Sequence, residues 1–150
     1  MSSHDLYLRC IEIYLMLDDG DHRVLQPFGL TPAHYAALSL LDEHKGQRLI
    51  DLVEPLLLDK SSITRMLSRL EQQGLVVRTP DPHDGRAQRV TLTAAGAMLR
   101  QRAHIAFDRA IAERFAGLSD TQRLQLAELL DALHSHLRAT LDTPRNTDSL

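Results

Sequence analysis

The hydrophobic positions change period inside the stretch from Leu58 to Gly96. Ile63, Met66, Leu67 and Leu70 fall at i, i+3, i+4 and i+7, which predicts a helix with one buried stripe and Ser61, Arg65 and Ser68 facing outward. Asp59 stands where an N-cap belongs, and Gly74 where a helix closes. Leu75 to Arg78 then reads as a strand and Arg89 to Thr93 as its antiparallel return. Between them Asp81-Pro82-His83-Asp84-Gly85-Arg86 forms a turn with a guanidinium near its tip. Helix, strand, charged loop and strand in this order describe a winged helix-turn-helix, a shape that grips duplex DNA. A solvated hairpin that keeps an edge strand soluble is the competing reading of the loop.

The flanks are helical. Tyr7, Cys10, Ile11 and Tyr14 share one face of a first helix that should run to about Val24. Asp18, Asp19 and Asp21 around Gly20 suggest a solvated break in it. Thr31 caps a second helix that opens on Pro32 and should reach about His44. Thr93 caps a long fifth helix, stopped near Gly117. Ser119 and Gln122 make a capping box for a sixth, in which Leu126, Leu130, Leu133 and Leu137 repeat like a heptad seam. The predicted fold class is mainly α with a small β wing. Thr143 to Leu150 reads as a flexible tail.

Charge sharpens the picture. The net charge of -3 hides an uneven distribution: four Lys/Arg stand against nine Asp/Glu in residues 1–58, six against four in 59–90, and seven against seven in 91–150. Positive charge therefore gathers in the helix and wing, where phosphates would have to be neutralised. No glycine-rich phosphate loop, nucleophile elbow or acid/base carboxylate pair suggests an enzyme. The eight histidines include none at ligand spacing, since His134 and His136 point different ways on a helix, so neither metal nor cofactor is expected. Cys10 is the only cysteine, which leaves no intrachain disulfide. With no basic leader and no long apolar run, the protein is expected to be cytoplasmic, without membrane contact.

The segment resembles the MarR family of bacterial transcription regulators. That family ends its third helix on E-L-A-x-x-L-G-L-D and continues through a recognition helix like R-S-T-V-T-R-x-L-x-x-L-E-x-x-G-L-V. It closes on D-x-R-D-x-R and L-T-x-x-G. The matching stretches here are Asp51 to Asp59, Lys60 to Val76, Asp81 to Arg86, and Leu92-Thr93-Ala94-Ala95-Gly96. Three positions depart from the pattern. His83 replaces the first wing arginine and exchanges a permanent cation for a titratable ring. Pro55 should shorten or kink the third helix. Leu57 takes the place of a glycine, where positive φ strains any other residue.

The resemblance implies a homodimer whose terminal helices, residues 1–30 and 97–142, form a dimerisation stalk around DNA-binding lobes of residues 31–96. Tyr7, Ile11, Leu126, Leu130, Leu133 and Leu137 would lie at that interface. Two lobes about 34 Å apart would ask for a pseudo-palindromic operator on double-stranded DNA. Ser61, Ser62, Thr64 and Arg65 are expected at base edges or phosphates, and Lys60 and Arg69 at the backbone. Arg69 has an alternative in an ion pair with Glu71 or Glu54. Arg86 should enter the minor groove with Asp84 holding its guanidinium, His83 beside it and Arg89 on the flanking phosphate. The function implied is a repressor released by a small phenolic or carboxylate effector, with Tyr14, His34 and Tyr35 lining its cleft. Two alternatives stand beside it. One is peroxide sensing through Cys10, with Tyr35 as its phenol, against the commoner reading of a buried structural thiol. The other is a winged helix used only for protein contact.

Overall fold

The computed structural model describes residues 1–141; the tail expected from Thr143 lies outside the described residues. Six α-helices and a three-stranded sheet follow one another among the described residues: α1 (Ser3–Leu25), α2 (Pro32–Leu40), β1 (Gln47–Arg48), α3 (Val53–Leu56), α4 (Lys60–Gln72), β2 (Val76–Pro80), β3 (Gln88–Leu92), α5 (Ala94–Phe115) and α6 (Asp120–Leu141). Short 3-10 turns cover Gln26–Phe28 and Leu49–Leu52. The sheet order is β1-β3-β2 and both pairings are antiparallel. The chain divides into two compact units, Met1–Ala110 and Ile111 onward.

The core of the first unit gathers around the stripe of α4. Ile63, Leu67 and Leu70 are completely buried and Met66 nearly so, packed with Leu25, Leu38, Leu41, Leu52, Val76, Val90 and Ala103. This is the stripe that the spacing predicts. One hydroxyl joins α4 to α5: Thr93 Oγ1 donates to the Gly74 carbonyl at 2.6 Å and accepts the Gly96 amide at 3.0 Å. Gly96 leaves no room for a side chain, because a Cβ there would overlap the Leu75 carbonyl oxygen. The L-T-x-x-G phrase thus records a close approach of α5 to the end of the recognition helix.

Several elements differ from the sequence expectation. The second helix ends at Leu40 rather than near His44, since Asp42 Oδ1 accepts the amides of His44, Lys45 and Gly46 at 2.7, 2.6 and 3.2 Å. A side chain that offers the backbone such a turn competes with continued helix. The freed chain then supplies β1, an unexpected third strand whose two residues pair with Val90 and Arg89. The first helix runs unbroken through Gly20. Its acids are helix-surface partners instead, Asp18 to His22 and Asp19 to Arg23 at i,i+4. The third helix is cut to four residues and closes on Leu57 at φ 53°, as Pro55 and the displaced glycine led us to expect.

Two helices leave apolar side chains in water. On α1, Tyr7 and Tyr14 are each 62% exposed, and Leu6, Ile13 and Met16 are also uncovered. On α6, capped by Ser119 and Gln122 as expected, Leu129, Leu130, Leu133 and Leu137 are exposed in the same way. No helix among the described residues is long and apolar enough to cross a membrane.

Candidate nucleic-acid interface

The N-terminus of α4 is organised by Asp59. Its Oδ1 accepts the Ser62 amide at 2.8 Å and the Ser61 hydroxyl at 2.5 Å, while Oδ2 accepts the Ser62 hydroxyl at 2.7 Å. These donors, the Ser61 hydroxyl foremost, hold the Asp59 carboxyl well below the usual carboxylate range. Thr64 donates its hydroxyl to the Lys60 carbonyl at 2.8 Å. Three hydroxyls expected at base edges or phosphates therefore spend their protons on their own helix and present lone pairs outward. Lys60 and Arg65 remain exposed beside them, and no hydrogen bond or ion pair from either side chain is found among the described residues. They border one shallow depression with Ser61 and Thr64.

Arg78, which the sequence reading did not single out, braces the far end of this helix. Its Nη2 lies 2.5 Å and its Nε 2.9 Å from Glu71 Oε2, and Nη2 also donates to Ser68 Oγ at 3.2 Å. The Arg78 guanidinium keeps the Glu71 carboxyl below its ordinary range. Ser68, expected to face outward, is half-buried against it. With Glu71 taken, the proposed Arg69–Glu71 pair does not form, and Arg69 stays exposed with no ion pair to Glu54 or any other acid among the described residues.

The wing separates its arginines by role. Asp81 is 5% exposed. Its Oδ1 accepts the amides of His83 and Asp84 at 2.8 and 3.1 Å, and its Oδ2 accepts Arg89 Nε at 2.9 Å. The His83 amide, then Arg89, hold this carboxyl below its ordinary range. Arg89 Nη1 also donates to the Lys45 and Gly46 carbonyls at 2.9 and 3.1 Å. Arg89, expected at a flanking phosphate, here uses its guanidinium to lock the wing to the loop before β1, because a buried carboxylate demands a partner. A second correction concerns Asp84, whose Oδ1 accepts the backbone amide of Arg86 at 3.1 Å and not its guanidinium. The Arg86 side chain is exposed and makes no such bond among the described residues, and His83 is exposed as well.

The residues expected to form an effector or redox cluster are not brought together. His34 caps α2 with Thr31, its Nδ1 accepting the Thr31 amide at 3.4 Å. Burial, followed by the charge of Arg69, pushes its pKa down. It lines a cavity of about 460 Å³ with Thr31, Leu30, His22, Arg23 and Arg69. Tyr35 lies apart from that cavity. Its hydroxyl is 3.0 Å from His104 Nδ1 and its ring centroid 4.8 Å from that of Phe107. Burial raises the Tyr35 phenol above its ordinary pKa. Tyr14 and Cys10 are both exposed on α1, so the thiol is not buried within its own chain. No group of three or more His, Cys, Asp or Glu among the described residues could hold a metal ion.

Comparisons with known proteins converge on one group. Residues 30–87 match the MarR family. The organic hydroperoxide resistance transcriptional regulator of Bacillus subtilis is 36% identical over 114 residues, covering 76% of this chain and 74% of the relative. The crystal structure of a MarR-family regulator from Rhodococcus sp. RHA1 superposes with a TM-score of 0.76 at 29% identity, over 89% of this chain and 94% of the other. The transcriptional repressor CouR, bound to a 23-mer DNA duplex, gives a TM-score of 0.75 at 27% identity, over 84% of this chain and 89% of the other.

Proposed function

This chain belongs to the MarR family and is a DNA-binding transcriptional regulator rather than an enzyme, and from that membership we propose that it acts as a homodimeric repressor released by a small ligand or an oxidant. The observation that carries this reading is the state of its cations. Lys60, Arg65 and Arg86 are exposed without partners among the described residues, and Lys60 borders both the depression with Arg65 and a groove with Arg86. An unspent row of this kind is suited to phosphates and base edges. Ser61, Ser62, Thr64 and Arg69 flank it on α4, and Arg86, with His83 and Asp84, forms the tip that reaches the minor groove.

Residues 1–30 and 97–142 supply the dimerisation helices in this reading, and residues 31–96 the DNA-binding lobe. The uncovered faces of α1 and α6, with Tyr7, Ile11, Leu130, Leu133 and Leu137 among them, support it. Leu126 on the same seam is half-buried. Release follows when an effector changes the spacing of two lobes that must dock together. The cavity beside His34 suits a small carboxylate, with Arg69 as its cation.

Footprinting on duplexes selected from a random pool tests the proposal. Two half-sites spaced by about one helical turn are expected, and a single protected half-site with a monomeric protein would overturn it. A second reading, thiol sensing, is favoured by the exposure of Cys10 and by the likeness to the hydroperoxide resistance regulator. It predicts that organic hydroperoxide releases the wild type from DNA but not Cys10→Ser; equal release of both removes the thiol from the mechanism.

A further inference from the structure

We propose that the groove between the start of α4 and the wing seats one backbone phosphate of duplex DNA, and that Arg48 on β1 is a DNA-contacting cation there. This rests on the DNA-binding reading above and adds a residue to it. The groove has a volume of about 370 Å³, and Arg48, Ile50, Lys60, Asp84, Arg86 and Gln88 are among the residues that line it. Its three cations come from three elements separated in sequence: the strand, the helix N-terminus and the wing tip. Lys60 and Arg86 have no side-chain partner among the described residues. Arg48 has only a loose one, its Nε lying 3.6 Å from Asp51 Oδ2 with both side chains substantially exposed. Such a pair is weak and readily exchanged for a phosphate.

The placement follows from how the two reading elements must dock. With α4 in a major groove and the wing in the adjacent minor groove, the sugar-phosphate strand that divides those grooves has to pass between them. It then runs over the Arg48, Lys60 and Arg86 groove. The carboxylate among these residues, Asp84, has one oxygen engaged by the Arg86 amide. Arg48 is held in register by the ladder, since its Cα partner on β3 is Arg89, itself anchored to Asp81. The cation thus sits on a fixed strand and not on a mobile loop, which lowers the cost of ordering it on binding. Exposed Ile50 offers the deoxyribose an apolar surface beside the phosphate.

The test is the salt dependence of binding by the full-length protein, read by fluorescence anisotropy on two labelled duplexes of equal length, one selected by the wild type and one of random sequence. Arg48→Gln should weaken both alike, by about fivefold at physiological salt, and lower the log–log salt slope by about 0.9 for each subunit bound. Arg48→Lys should restore most of the slope. Asp51→Asn, which frees the guanidinium, should tighten both duplexes. Ethylation interference should show one phosphate per half-site, between the major-groove and minor-groove contacts, that matters for the wild type and no longer for Arg48→Gln. A slope and interference pattern unchanged in Arg48→Gln, with an unaltered melting curve, would overturn the assignment while leaving the DNA-binding reading intact. Failure of the wild type to bind either duplex would instead strike at that reading.

Discussion

The lobe built around α4 and the two helices α1 and α6 solve the same problem differently. In the lobe, the apolar stripe of α4 is closed off by the chain itself, with Ile63, Leu67 and Leu70 fully buried. Along α1 and α6, side chains of the same kind stand in water, Leu129 at 70% exposure and Tyr14 at 62%. Leu25 of α1 and Ala103 of α5 join the lobe's residues in that core, so one copy of the chain closes it. In the proposed homodimer a second copy would cover the open faces of α1 and α6, since burial of each large apolar side chain is worth about 1.5 to 3 kcal/mol. On that proposal each chain would shape its own reading surface, whereas the spacing between two such surfaces would belong to the pair.

The largest expected effect breaks that contrast at its open side. Leu130→Glu combined with Leu133→Glu should convert a dimer to a monomer by sedimentation and reduce duplex affinity by more than about a hundredfold, because unpaired carboxylates cost several kcal/mol to bury. The lobe should melt as before; a double variant that still sediments as a dimer would erase the distinction between the two regions. Next come the wing arginines. Arg86→Ala should cost about 1 to 3 kcal/mol of duplex binding with an unchanged melting temperature. Arg89→Ala should lower the melting temperature, since it strands the Asp81 carboxylate, so a binding loss without a melting shift would return Arg89 to the DNA. Leu57→Gly should stabilise the lobe by about 0.5 to 1 kcal/mol in denaturant titration, relieving a left-handed residue that buries little. The smallest effect is titration at His34. Its folded pKa is depressed, so the unfolded chain takes up the proton first. Stability from the neutral ring is then fully present above about pH 6.5 and is lost as pH falls below it. Arg69→Gln should raise the His34 pKa followed by NMR; no change would separate the two residues.

Much of the lobe was legible because it obeys local rules. The spacing of Ile63, Met66, Leu67 and Leu70, the Asp59 cap and the glycine after α4 each depend on neighbours within about two helical turns, as does the Ser119–Gln122 box outside the lobe. What escaped depends on partners far along the chain. Arg78 and Glu71 are seven residues apart, and the Arg89 guanidinium reaches carbonyls 43 and 44 residues away. Nothing local distinguishes Arg89 from Arg86, yet one is structural and the other free. The second helix was overdrawn for a related reason: Asp42 looks like one more polar helix residue until its carboxylate collects three amides. β1 was missed because two residues carry no alternation to detect. At the candidate effector residues, periodicity placed Cys10, Tyr14 and Tyr35 on helices but could not show that Tyr35 turns to His104 instead of to the cavity of His34.

The Thr93 hydroxyl has a mechanical consequence. By holding the carbonyl at the end of α4 and the amide near the start of α5, with Gly96 pressed against Leu75, it makes a stiff elbow of two levers. If the chain docks as proposed, a roll of the longer arm would be felt at the shorter one, which faces the double helix.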